Sequence, residues 1–114
     1  MANKNFKILP ILRELIDSLR ILYGAQLKKV VLYGSHARGE ATAESDLDVL
    51  IVLDRQLQNV YHEVSRLVPL IAELNLKYEV LPSCIPVSYE EYEKAKTPLL
   101  MNVRSEGIVV HRWI

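Results

Sequence analysis

The chain has 114 residues, half of them hydrophobic and a quarter charged, with 14 basic side chains balanced by 14 acidic ones. That is one domain, residues 1–114, with a real core and little to spare, and the even charge excludes a protein devoted to non-specific DNA or RNA binding. A single cysteine, Cys84, excludes an internal disulfide or a multi-cysteine metal site and fits a cytoplasmic protein; the apolar residues 8–12 are stopped by Arg13-Glu14 too soon for a signal peptide, and no apolar run approaches the roughly 20 residues of a membrane span.

Ile8, Leu12, Leu15, Ile16, Leu19 and Tyr23 recur at helical spacing with Arg13, Glu14, Asp17 and Arg20 between them, which predicts an amphipathic first helix. Pro10 suits only a first turn, so the helix is expected to start near Leu9 and to stop at Gly24. Residues 29–33 are apolar and β-branched, a buried strand. Residues 34–45 read as a loop with one helical turn around His36-Ala37-Arg38, and residues 47–53 as a second strand. Leu57, Val60, Tyr61, Val64, Leu67, Val68, Ile71 and Leu74 make the longest helical stripe, with a kink or break expected at Pro69. His62 and Glu63 fall on its flank.

Residues 77–81 are expected to form a third strand, with Pro82 and Pro86 bracketing an irregular stretch. Ser88 and Glu91 form an S-x-x-E capping box that opens a short helix through Lys96. Thr97-Pro98 starts another, Gly107 ends it, and residues 108–111 form a last strand. The sum is an α/β (α+β) fold, a small mixed sheet with helices packed on it.

Residues 30–53 carry the functional signal. Alternation along a strand puts Asp46 and Asp48 on one face, Cα atoms roughly 6.5 Å apart. Two neighbouring carboxylates repel unless a cation joins them, and Mg²⁺ favours such oxygens. The Gly34-Ser35 turn offers backbone N–H groups and a hydroxyl to phosphate. Together these parts describe a metal–triphosphate site. Nucleotidyl transfer uses two metal ions about 3.5–4 Å apart, and a third carboxylate on an adjacent strand completes such a site. Glu79, a charge inside the apolar run 77–81, is the candidate.

Gly34-Ser35, ten residues, then Asp46-x-Asp48 matches the G-S-x10-D-x-D signature of the polymerase-β-like nucleotidyltransferase superfamily. The fuller string GSHARGEATAESDLDVLIV resembles its minimal nucleotidyltransferase domains, and the tail TPLLMNVRSEGIVV extends the similarity over most of the chain. The resemblance implies the polymerase-β-like fold and Mg²⁺-dependent transfer of a nucleotide, usually AMP from ATP. It implies that Asp46, Asp48 and a third acid, here Glu79 in place of the usual Asp, hold two Mg²⁺ ions. Gly34, Ser35, Arg38 and Ser45 are the expected nucleotide-binding residues. His36 falls at a variable position of the motif and is expected to face solvent.

Many such relatives are antitoxins that face a HEPN-type helical toxin, and some adenylylate a tyrosine on it. The chain stops almost as soon as the catalytic core is complete, so the acceptor is expected on a partner protein or on a second copy of the chain. A nucleotide-binding module that neutralises a partner by binding alone is the competing reading. Transfer to a small molecule or RNA is the third, disfavoured by the short neutral chain.

Overall fold

The computed structural model describes residues 4–42 and 45–112, with side chains of the first helix from Ile8 onward; Ala43 and Glu44 of the motif lie outside the described residues. The elements are α1 (Lys4–Tyr23), β1 (Leu27–Tyr33), α2 (Ser35–Arg38), β2 (Leu47–Leu53), α3 (Val60–Tyr78), β3 (Pro82–Ser88), α4 (Tyr89–Lys94), α5 (Pro98–Glu106) and β4 (Ile108–Arg112). The strands form one mixed sheet in the order β3-β2-β1-β4. β1 runs antiparallel to β2 and to β4, and β2 runs parallel to β3. None of the helices among the described residues is long and apolar enough to cross a membrane.

Side-chain alternation on β2 divides the core into two layers. Leu47, Val49, Ile51 and Leu53 pack with Leu15 and Leu19 of α1 and Leu67 and Leu74 of α3. Leu50 and Val52 pack on the other face with Tyr92 of α4 and Leu100 and Val103 of α5. Helices thus cover both faces, which is why β1 and β2 read as continuous apolar runs rather than as alternating ones. Both strands are pinned by these layers, so the loop between the end of β1 and the start of β2 is held on rigid supports.

Several local expectations are met. The Ser88 hydroxyl accepts from Glu91 N–H at 3.1 Å, and the Thr97 hydroxyl accepts from Leu100 N–H at 3.3 Å. Gly107 follows α5, where a Cβ would stand 2.5 Å from the Val103 carbonyl oxygen and 2.6 Å from Val31 Cγ1. Only glycine lets the chain pass that close.

Other expectations need correction. α1 begins by Lys4 with Pro10 in its body, and α3 runs unbroken through Pro69. Both prolines are exposed, so the carbonyl each leaves without an N–H one turn earlier can be met by water. The third strand is β3, Pro82–Ser88, not residues 77–81. Lys77 and Tyr78 instead end α3, and both side chains donate to Glu14 on α1. β3 tolerates its prolines because it is an edge strand. Pro82 and Pro86 share the parity whose N–H would point away from β2.

The buried face of α3 is also displaced from the expected stripe. Tyr61 is 88% exposed, whereas Glu63 is buried. The Tyr23 hydroxyl donates to Glu63 at 2.5 Å, Arg66 donates at 3.2 Å, and Arg55 donates to its other oxygen. The Arg66 guanidinium also stacks over the Tyr23 ring, 5.3 Å from its centroid. A tyrosine and two arginines therefore replace the water that a buried carboxylate would otherwise need.

Candidate active site

The site lies at the end of the sheet where β1 stops and β2 begins. Gly34 follows β1 at φ +74°, in the left-handed region, with its Cα against the Asp48 carboxylate. A Cβ at this position would overlap Asp48 Oδ2. Gly34 is therefore fixed twice, by its backbone and by the acid it touches. Gly34→Ala is expected to lower the melting temperature by several degrees, since a left-handed alanine alone costs about 1–2 kcal/mol. It is also expected to displace Asp48, so metal binding measured by Mn²⁺ titration should weaken in parallel.

Ser35 opens the single turn of α2, half-buried, with its hydroxyl unpaired among the described residues. The turn is closed by Arg38 N–H to Gly34 carbonyl at 3.1 Å and Glu40 N–H to Ser35 carbonyl at 2.9 Å. Arg38 is exposed and pairs with Glu40 at 3.0 Å and, more loosely, with Glu106 on α5 at 3.8 Å. Exposed pairs of this kind are worth about 0–1 kcal/mol, so Arg38 can be drawn to a phosphate at little cost. The Ser45 hydroxyl accepts from Thr42 N–H at 2.9 Å, and Ser45 N–H donates to the Thr42 carbonyl at 3.1 Å. Ser45 thus braces the loop that delivers Asp46.

Asp46 is exposed and Asp48 half-buried. Burial, then the charge of Asp46, holds the Asp48 carboxyl above its ordinary value, while His36 and Arg38 pull it the other way. Across the sheet, Asp48 is flanked in register by Tyr33 on β1 and Ser83 on β3. Burial, then Asp48, pushes the Tyr33 phenol up to about 12, so it stays a neutral hydrogen-bonding group. His36 is the departure from expectation. It is buried, not solvent-facing, and both of its ring nitrogens lack a partner. No sequence signal separated it from an exposed loop histidine.

Glu79 does not complete the carboxylate set. It follows α3 as its C-cap at φ +56°, exposed and outside any strand. The adjacent-strand position from which it was expected to join Asp46 and Asp48 is therefore not the one it occupies. Among the described residues, no three His, Cys, Asp or Glu side chains gather as metal ligands. Opposite Asp48, where β3 could have presented an acid, stands Ser83. The pair does fit one Mg²⁺, because such ions are commonly held by one or two carboxylates with substrate phosphates supplying the other oxygens. Glu79→Ala is expected to change Mn²⁺ affinity by less than about 3-fold, against the roughly tenfold or greater loss expected for a metal ligand.

A model of the nucleotidyltransferase domain matches residues 12–110. The chain belongs to that family. Two Methanocaldococcus jannaschii relatives run nearly its full length. "Putative protein adenylyltransferase MJ0604" is 36% identical over 101 residues, covering 88% of this chain and 94% of its own. "Putative protein adenylyltransferase MJ0141" is 30% identical over 104 residues, covering 91% and 99%. The fold of this nucleotidyltransferase is shared with the crystal structure of "a putative nucleotidyltransferase from Sulfolobus solfataricus" (TM-score 0.63, 17% identity, 94% of this chain and 82% of the other). It is also shared with a toxin–antitoxin structure containing AMP-PNP (TM-score 0.61, 20% identity, 87% and 72%). The small mixed sheet with helices on both faces is thus the family fold, and Asp46 and Asp48 sit at its strand–loop junction.

Proposed function

We propose that this nucleotidyltransferase moves AMP from Mg·ATP to a hydroxyl, a tyrosine side chain, on a partner protein, and acts as the antitoxin of a HEPN-type toxin. The observation that carries the reading is the Asp46–Asp48 pair, whose like charges oppose each other and which abuts Gly34. The names of the two M. jannaschii relatives support a protein acceptor, and the toxin–antitoxin neighbours support a toxin partner.

In this reading the Gly34-Ser35 turn receives the triphosphate, Arg38 leaves its surface pairs for a phosphate oxygen, and Ser45 keeps the loop in place. Asp46 and Asp48 would hold one Mg²⁺, which when bound would supply charge neutralisation at the triphosphate and at the oxygens of the α-phosphorus. The acceptor oxygen bonds to the α-phosphorus, the α–β bridging P–O bond breaks, pyrophosphate leaves, and the hydroxyl proton passes to solvent. The buried Cys84, its thiol pushed up to about 12 by burial, takes no part and suits a reducing cytoplasm.

The competing reading, neutralisation by binding alone, draws on the absence of a three-ligand metal group among the described residues. Co-expression of the toxin with the Asp46→Asn/Asp48→Asn double variant separates the two. The catalytic reading expects growth arrest with the variant and rescue with the natural chain. Equal rescue by both would establish neutralisation by binding.

A further inference from the structure

His36 carries two orphaned polar atoms into a site that is itself under-satisfied. The residue is 7% exposed, and neither Nδ1 nor Nε2 has a hydrogen-bond partner among the described residues. Buried polar atoms are nearly always paired, and leaving one unpaired costs about 1–3 kcal/mol. A neutral imidazole always offers one N–H donor and one acceptor. The backbone two residues earlier, at Gly34, lies against the Asp48 carboxylate. His36 also favours the ionised form of Asp48. The turn that carries this unused donor and the strand start that carries Asp48 thus meet at Gly34.

We propose that His36 is a positioning residue for this site. Its ring N–H reaches the Asp48 carboxylate across one water and holds the rotamer in which Asp48 and Asp46 face the same cation. The remaining ring nitrogen accepts from water. The imidazole does not coordinate the metal, consistent with the absence of any three-ligand group among the described residues. Its burial by α2 against the strand ends makes the orientation rigid, as outer hydrogen bonds to metal-binding carboxylates commonly do. The inference rests on the reading of Asp46 and Asp48 as the metal-binding pair.

The test is Mn²⁺ titration of the full chain with AMP-PNP, followed by Mn²⁺ electron paramagnetic resonance, for the natural chain and for His36→Ala, His36→Asn and His36→Gln. His36→Ala is expected to weaken Mn²⁺ binding roughly tenfold, the usual scale for losing an outer-shell partner. Asn or Gln, whose amide N–H replaces Nδ1–H or Nε2–H, is expected to recover most of that loss. Unchanged Mn²⁺ affinity in His36→Ala overturns the proposal. So does a loss that neither amide recovers, with melting temperature unchanged. Asp48→Asn is run alongside: if it too binds Mn²⁺ like the natural chain, the reading of the carboxylate pair has failed rather than the role of His36. Where His36→Ala does not fold, the natural chain with ¹⁵N-labelled histidine decides. Mg²⁺ and AMP-PNP should shift the His36 ring nitrogens and slow exchange of the ring N–H, and an unchanged signal would reject the role.

Discussion

Asp48→Asn is expected to remove nucleotidyl transfer while making the empty protein more stable. The expected loss in kcat is at least about 10²–10³-fold, the scale for removing one preorganised electrostatic group from an active site. The gain in stability follows from the cause of the Asp48 shift. Burial and the neighbouring Asp46 charge both disfavour its ionised form. Because its folded pKa is raised above the ordinary 3.8, the native chain holds a proton that the unfolded chain has released in the window between the two values. Stability from this group therefore falls as pH rises through that window. Asparagine does not ionise, so the advantage of Asp48→Asn should be absent below the ordinary carboxylate value and complete at neutral pH. Thermal unfolding at pH 3 and pH 7, with kcat from a transfer assay, checks both halves. Lower stability at pH 7 than the natural chain would contradict the account. Active sites store this kind of conflict between stability and function.

Glu63→Ala has the opposite profile, with large damage to the fold and little to the chemistry. Removing the carboxylate strands the Tyr23 hydroxyl and separates two arginines from their shared anion. Breaking a buried ion pair costs about 3–5 kcal/mol, but the Arg55 and Arg66 side chains are 29% and 37% exposed and can turn to water. The expected cost is then about 2–3 kcal/mol, a fall of roughly 10–15 °C in melting temperature. The cluster sits beyond the end of β2, at the opposite end of the strand from Asp46 and Asp48, so transfer measured well below the melting point should be nearly normal. Burial raises the Glu63 carboxyl, but Tyr23, Arg55 and Arg66 together outweigh it and leave the value lowered from 4.5. The contribution is thus present above that ordinary value and lost as pH falls through the depressed one. Glu63→Ala and the natural chain should therefore converge in stability under strong acid.

What could be read from the residues was local. The Gly34-Ser35 turn, the Asp46-x-Asp48 pair, the Ser88 and Thr97 caps and the α1 stripe each depend on neighbours within a few positions. The chain order of helices and strands followed from them. What escaped was decided by distant partners. Glu63 looked like a flank residue because the hydroxyl that satisfies it, Tyr23, lies 40 positions away. Tyr61 and Val68 offered α3 an apolar stripe that packing against α1 did not use. Residues 77–78 have strand-like neighbours but are claimed by α3, whose last turn ties to Glu14. That claim moved β3 onto a proline-bearing segment and left Glu79 as an exposed cap. The burial of His36 depends on how α2 folds onto the strand ends, which no periodicity in a four-residue turn can reveal.

The Gly34–Asp46–Asp48 site is expected to transfer a nucleotide to a protein hydroxyl. Incubation of the chain with Mg²⁺, the helical toxin partner, and ATP labelled at either the α- or the γ-phosphate tests it most directly. Label from α-phosphate only should appear on a partner tyrosine, and should vanish with Asp46→Asn/Asp48→Asn. An unlabelled partner, or equal labelling by the double variant, would contradict the account.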